Sequence, residues 1–456
     1  MSYKPPVGAT ISSVSYLFSK SENHLDPLDL YTRIARSNGG RPARLKGPLG
    51  YEEWVLSDPA DIEYVLQTNQ HNYQKGKEYK VLGMVAPEGL ISAEGEAWLH
   101  HRRLMQPAFK ENPVRGMAQI MISQTEGMLG QWGDSINHDS LNITNAIRNL
   151  TLRIIAQALF SKDIDDTITE KIREAFGYLN WYLDDRMSPR IHAPRNAPTQ
   201  NNKRFKAAVR DLDQIVLSII DDRRQLEATD TNRDDLLGML MALQHQETQQ
   251  RLTNSQLRDQ ILTLLVAGHD TSANALIWAF HLLDQNPGVD HALYEEMQQV
   301  LGGRSPVAED YDHLAYTKMV VDEVLRLYPP AWAISRRPLT PDQIGGFEVS
   351  AGTPLLISPY VVHRDPSIWT DPEVFDPLRF SPDRSATRPK FAHFPFGGGA
   401  RQCLGSGFAR MELVLVLATI LQRYRLTLDS NSDAYAEALL TLRPKNYMQM
   451  KAVSRQ

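Results

Sequence analysis

Apolar side chains recur at three- and four-residue intervals along most of this chain, the spacing of helices with one buried face. The pattern predicts helices over Leu28 to Ser37, through most of Val114 to Leu159 and Thr167 to Leu183, and over Lys203 to Leu226. A further one over Asp58 to Leu66 is entered at Pro59. Thr253-Asn254-Ser255-Gln256 offers a capping box, and no breaker follows until Pro287. That helix would be roughly 50 Å long at 1.5 Å per residue, enough to cross a whole domain. Phe408 to Leu421 is mostly apolar, which predicts a largely buried helix. Short β-type runs stand at Leu45 to Leu49, Glu53 to Leu56, Ile344 to Val349, Pro354 to Ser358 and Leu440 to Val453. Gly76, Gly83, Pro87 and Gly89 make residues 72–93 a loop with short helical pieces, and Ala228 to Asp234 is a polar surface loop. Three prolines break the helical pattern between Met187 and Thr199.

Composition narrows the class. An apolar content of 42% in 456 residues supports a large core, and a net charge of -5 argues against a general nucleic-acid binder. The single cysteine forbids an internal disulfide and suits a reducing compartment. No apolar run is long enough for a membrane anchor or leader, so a cytoplasmic protein is expected.

That one cysteine lies in Phe394-Pro395-Phe396-Gly397-Gly398-Gly399-Ala400-Arg401-Gln402-Cys403-Leu404-Gly405. By itself a lone Cys is most often a small buried hydrophobe, and a glycine run a surface turn. The glycines also permit tight turns with positive φ, and a thiol just ahead of a helix N-terminus is expected to have a lowered pKa. A dinucleotide loop is excluded, because a G-x-G-x-x-G begun at Gly397 meets Gln402 where its last glycine belongs.

Phe396-x-x-Gly399-x-Arg401-x-Cys403-x-Gly405 resembles, at all five fixed positions, the haem-binding signature of the cytochrome P450 superfamily. The resemblance implies a mainly α fold with a smaller β-rich part, drawn from about 40–70, 330–360 and 436–454, in one domain spanning 1–456. It implies haem b (iron protoporphyrin IX), with Cys403 as axial thiolate of the iron, Arg401 paired to a propionate and Phe396 packed near the sulfur. Gly399 and Gly405 complete the cofactor-binding loop.

Three more stretches match. Trp98 and Arg102, four apart on one helical face, could be an ordinary amphipathic turn; they resemble the family's propionate-binding helix. His100 and His101 beside them are either a propionate ligand or solvent-facing. Ala267-Gly268-His269-Asp270-Thr271, in the middle of the long helix, is either a small-residue packing groove or the family's oxygen-activating motif. In the second reading Ala267 and Gly268 make room beside the haem and Thr271 hydrogen-bonds dioxygen or a nearby water. Asp270 relays protons, and His269 is no iron ligand. Glu323 and Arg326 sit at i and i+3 among Val320, Val321, Val324 and Leu325, which favours a buried pair over a solvated bridge. They match the family's E-x-x-R motif, with Arg379 as third partner and a role in assembling the fold. Past Pro330, Arg337 is assigned as a further propionate ligand. The role of His363 in His363-Arg364-Asp365-Pro366 is not legible from the residues.

The function implied is that of a soluble, monomeric haem-thiolate monooxygenase using O2. Its electrons would come from a separate ferredoxin or flavodoxin-type donor with its reductase, since the stretch after the haem loop is too short for a fused one. The docking face would be the basic surface around Arg102, Arg103, Lys110 and Arg410. Two alternatives stand: a peroxide-driven enzyme, which Asp270-Thr271 argues against, and a haem-based sensor, which the lack of an output domain argues against. Substrate contacts are expected from residues 74–93, 176–205, 262–272, 330–335 and 439–442. Tyr79, Val81, Leu82, Met84, Val85, Leu90, Phe176, Leu179, Trp181 and Tyr182 make that mouth apolar, and Lys75, Lys77, Lys80 and Arg186 are candidate carboxylate anchors. A lipophilic substrate follows, a fatty acid or a terpenoid.

Overall fold

In the computed structural model the capping box forms as the sequence predicts. Thr253 Oγ1 accepts from the Gln256 N–H at 3.1 Å and Gln256 Oε1 accepts from the Thr253 N–H at 3.1 Å. The helix they start runs Asn254–Gln285, 32 residues, and stops at Asn286 ahead of Pro287. Residues 8–10, 26–46, 52–133, 140–161, 166–187, 192–227, 235–247, 252–430 and 432–455 are described. The far end of the strand expected at Leu45 to Leu49, part of the proline-rich break and the polar loop Ala228 to Asp234 lie outside them.

The long helix is the centre of the molecule. Its middle is buried on nearly every side, as a helix without a polar face must be. Helices Ile143–Phe160, Gln200–Glu227, Ala315–Leu327 and Ser406–Leu421 pack against it. Ser406–Leu421 is the second largely buried helix, with every residue from Met411 to Leu421 buried, Glu412 included. No described helix is long and apolar enough to cross a membrane.

The β part flanks this helical body. Six strands order as Gly8–Thr10, Ala43–Lys46, Glu52–Leu56, Leu355–Ile357, Ile334–Pro338 and Tyr73–Lys75. A three-stranded sheet joins Tyr424–Leu428, Gln449–Ser454 and Ser140–Asn142. Two hairpins, Asp342–Ile344 with Phe347–Val349 and Ala436–Ala438 with Leu442–Pro444, complete it. Tyr73–Lys75, Ser140–Asn142 and Tyr424–Leu428 are strands that the pattern does not announce. The first two, of three residues each, are too short for alternation to register, and all three exist because another segment offers backbone partners.

The helix expected over Asp58 to Leu66 divides. Asp58 caps Pro59–Glu63, accepting from the Ala60 N–H at 2.7 Å, and the chain then widens into a π-helical turn, Tyr64–Thr68. The widened turn turns its Leu66 carbonyl onto the cysteine loop, where an added Cβ on Gly399 would lie 1.8 Å from it.

Candidate active site

The cysteine loop is held by backbone and by close contact. Gly397 and Gly399 have φ of 71° and 66°, conformations that a side chain resists. The Cys403 N–H donates to Phe396 O at 2.9 Å and closes the loop. Gln70 Oε1 accepts from the Ala400 N–H at 2.7 Å, and buried His363 accepts the Phe394 N–H at 3.0 Å through Nε2. His363 is therefore a brace for the loop's entry. Gly405 is the N-cap of Ser406–Leu421. The Cys403 side chain is open on one face. Burial by the surrounding protein nevertheless raises its thiol pKa, against the Gly405 N–H and the Arg102 charge. That overturns the expected lowering: desolvation outweighs the helix end. A bound cation reverses the balance, because a coordinating thiol is deprotonated.

Beside the loop lies a cluster of cations. The Arg401 guanidinium stacks 4.4 Å from the Trp98 ring centroid and pairs with Glu94, while its Nη1 is buried without a partner. Lys75 stands directly across from Arg336 in the antiparallel pairing of their strands, so both side chains leave the same face. Lys75 Nζ donates to Leu90 O at 3.1 Å and Ala93 O at 2.6 Å. Burial, with Arg401 and Arg336 adding to it and Glu94 opposing, pushes the Lys75 ammonium down to about 7. Arg102 Nη1 donates to Gln402 O at 2.7 Å. Arg337 does not join them. One residue along the strand, it faces the other way, donating to Gly352 O at 3.1 Å with Glu78 at 4.0 Å. The period of two assigns the place to buried Arg336 instead.

From Asp259 to Leu283 the long helix is buried except at Val266, Ala267, Gly268 and Thr271, which border open space. Thr271 Oγ1 donates to Ala267 O at 2.6 Å, so its hydrogen is committed to the helix and its lone pairs are left to accept. The glycine at 268 answers to packing rather than to that space: a Cβ there would lie 3.0 Å from Ile155 Cδ1 of helix Ile143–Phe160. His269 is buried and stacks on Phe176, 6.1 Å between centroids. Asp270 points away from Thr271's side, accepting from Thr441 Oγ1 at 2.9 Å with Arg148 Nε at 3.8 Å. Ser272 Oγ donates at 2.6 Å to Glu412 of helix Ser406–Leu421, tying the motif to the helix that follows the cysteine. Glu412 is fully buried and burial pushes its carboxyl up to about 8, so it is a neutral acid. Its signal in the sequence is a carboxylate, two residues after Arg410, at the head of the apolar run Leu413 to Leu421.

Next to Thr271's helix is an apolar cavity lined by Leu82, Val85, Phe176, Leu179, Leu262 and Val266, with Ser92, Asn180 and Thr263 as polar groups. Trp181 is instead exposed, and Tyr182 is buried against Phe205 at 4.3 Å. Arg186 donates to Ala193 O, Tyr182 Oη and Asn202 Oδ1, each at 2.8 Å. Behind the loop, Arg326 donates to Glu323 at 2.6 and 2.8 Å and to the carbonyls of His363 and Pro372, both at 2.7 Å. Arg379 Nε lies 3.3 Å from Glu323 Oε1. The three charges meet, fully or nearly fully buried, and bind the backbone of the segment leading to the cysteine loop.

These residues fit a haem. A single thiol flanked by an N–H donor and Arg102 would supply one thiolate to the iron, and no cluster of three metal-binding side chains exists among the described residues. An orphaned Arg401 nitrogen, Lys75 and Arg336 around a lone Glu94 suit two propionate carboxylates. The cytochrome P450 family model matches residues 48–450. Cyclooctatin synthase of Streptomyces melanosporofaciens is 35% identical over 77% of this chain and 75% of its own. Cyclooctat-9-en-7-ol 5-monooxygenase of the same organism is 33% identical over 82% and 80%. Pentalenene oxygenase of Streptomyces avermitilis is 32% identical over 88% of each. With a family model that spans the thiol loop, the cation cluster and the long helix, and with relatives that match most of its length, the chain belongs to the cytochrome P450 family and is a monooxygenase.

Proposed function

We propose that this protein, as a single-domain monomer, inserts one oxygen atom of O2 into a neutral, cyclic terpenoid substrate by hydroxylation or epoxidation. For hydroxylation the balance is R–H + O2 + two electrons + two protons giving R–OH + H2O. The observation that carries the substrate class is the apolar cavity bordered by Leu262, Thr263 and Val266 of the long helix: its lining bears no charge. Each buried CH2 of a ligand contributes about 0.8 kcal/mol, so apolar groups of a substrate gain affinity against such side chains without polar contacts. Of the four cations offered as carboxylate anchors, Lys75 stands in the cation cluster beside the cysteine loop, Arg186 is bonded internally, and Lys77 and Lys80 are exposed. None of the four lines the cavity, which favours a neutral terpenoid over a fatty acid. The relatives' names, an oxygenase of pentalenene and a monooxygenase of a cyclooctatenol, support the same reading.

Haem b, bound through Cys403, supplies the dioxygen chemistry. Arg401, Arg336, Lys75, Trp98 and Arg102 would hold its propionates. Thr271 accepts a hydrogen bond from water at the open stretch of the helix, and Asp270 carries protons towards it. Electrons come from a separate ferredoxin or flavodoxin-type donor.

Titration of the ferric holoprotein with cyclic terpene hydrocarbons and alkenols, fatty acids and small polar compounds tests the reading. A low-to-high-spin shift with the terpenes, as water is displaced, is expected. A shift produced by fatty acids or by small polar compounds alone would overturn it.

A further inference from the structure

Asp184 lies on helix Asp166–Met187, one turn beyond cavity-lining Asn180 and two beyond Phe176, which stacks on His269 of the long helix. Its Oδ1 accepts from the Leu440 N–H at 2.6 Å, while Oδ2 is buried with no partner. The next residue, Thr441, donates its hydroxyl to Asp270 at 2.9 Å and accepts from Asn274 Nδ2 at 3.1 Å. Two consecutive residues of one hairpin turn thus hold two carboxyls from different helices. Glu437 and Arg443, 3.4 Å apart and 34% and 26% exposed, lead from this turn to solvent.

We propose that Asp184 is the outer carboxyl of a two-acid proton relay, taking protons from the solvent edge at Glu437 and Arg443 and passing them to Asp270. The inference rests on proton delivery through Asp270 as read above. In each transfer the Asp184 O–H breaks as an Asp270 O–H forms, through a water or by direct contact. Asp184 returns to carboxylate and is reprotonated from solvent, and no electron moves. Asp184 touches no reacting atom and acts through Asp270.

Chemistry argues for an acid rather than a fastener. An amide would accept the Leu440 N–H equally well without setting a second carboxylate beside Asp270. The groups facing Asp184 are Arg443 and Glu437 from the hairpin and Asp270 from the long helix, with Arg148 behind Asp270. Burial, opposed by the Leu440 N–H and Arg443 and aided by Asp270 and Glu437, raises its carboxyl to about 6. Such a group gains and loses protons readily near neutrality, which is what a shuttle requires.

The test is Asp184→Asn, which keeps the acceptor for Leu440, with Asp184→Glu as rescue and Asp270→Asn as reference, all as holoprotein. In wild type, an infrared carboxyl band should titrate near pH 6 and vanish in Asp184→Asn. Product formed in a single turnover should slow by about tenfold in Asp184→Asn. Its solvent isotope effect should rise and the inflection near pH 6 should disappear, while substrate-induced spin shifts are unchanged. Asp184→Glu should restore rate and inflection. If Asp270→Asn is impaired and Asp184→Asn keeps the wild-type profile, the outer station is refuted and the Asp270 reading survives. If Asp270→Asn is itself unimpaired, both fall.

Discussion

Removing the charge of Glu323 is the sharpest test of how this fold holds its cysteine loop. Glu323 and Arg326 are both 0% exposed, and Glu323 also accepts from the Asp376 N–H at 2.9 Å and faces Arg379 at 3.3 Å. Glu323→Gln is nearly isosteric and leaves two buried guanidiniums with no carboxylate. Breaking one buried pair costs about 3–5 kcal/mol. Arg326 retains the carbonyls of His363 and Pro372, which limits the loss, and Arg379 adds a second uncompensated charge. A loss of about 4 kcal/mol is expected, roughly a thousandfold in the folded-to-unfolded ratio and a large part of a typical domain's stability. Urea unfolding of holoprotein, followed by circular dichroism and by haem absorbance, measures it as a lowered midpoint at constant slope. The double variant Glu323→Gln/Arg326→Gln should lose at least about 2 kcal/mol less than the sum of the singles. Glu111→Gln is the control: its i,i+4 partner Arg115 is 26% exposed and Glu111 itself 75%, so less than about 1 kcal/mol should be lost. If Glu323→Gln behaves like that control and the singles add, the network does not organise the loop and the reasoning fails.

Cys403→Ser should abolish the strongly red-shifted Soret band of the reduced carbon monoxide complex; an unchanged spectrum would remove Cys403 as the iron ligand. Thr271→Ala should keep haem and substrate affinity while diverting electrons to peroxide or water, and product per electron consumed reports it. For Glu412, whose folded carboxyl sits at about 8, the native state keeps a proton that the unfolded chain releases above the ordinary carboxyl range. Its relative stability is therefore complete below that range and is lost as pH rises to about 8, by about 1.4 kcal/mol per unit. Glu412→Gln, which still accepts from Ser272, should flatten that dependence in unfolding measured from pH 5 to 8.5. Arg410 pairs with Asp322 and is half-buried, whereas Arg103 and Lys110 are exposed. Charge reversal at Arg103 and Lys110 should slow reduction by an acidic donor at low salt and leave it unchanged at high salt.

Much of this protein is legible along the chain because the features concerned are local. The capping box of Thr253 and Gln256, the mostly apolar helix after the loop and the glycines with positive φ each follow from residues within a turn or two. Glu323 and Arg326 announce their pairing by type and spacing, and Trp98, Arg401 and Cys403 carry the family resemblance in theirs. Tertiary structure decided what depends on direction. Whether Arg336 or Arg337 turns towards Arg401 is a matter of strand register, set by pairing with Tyr73–Lys75 some 260 residues away. Gly268 is small because Ile155 from another helix lies against it. Cys403 carries a raised thiol pKa because the assembled protein desolvates it more than the helix end stabilises its charge. Asp184 gains a partner acid only when the C-terminal hairpin folds over both helices and bonds one carboxyl at Leu440 and the other at Thr441. Periodicity specifies which face of an element is buried; the packing of distant segments specifies which charges that face must meet.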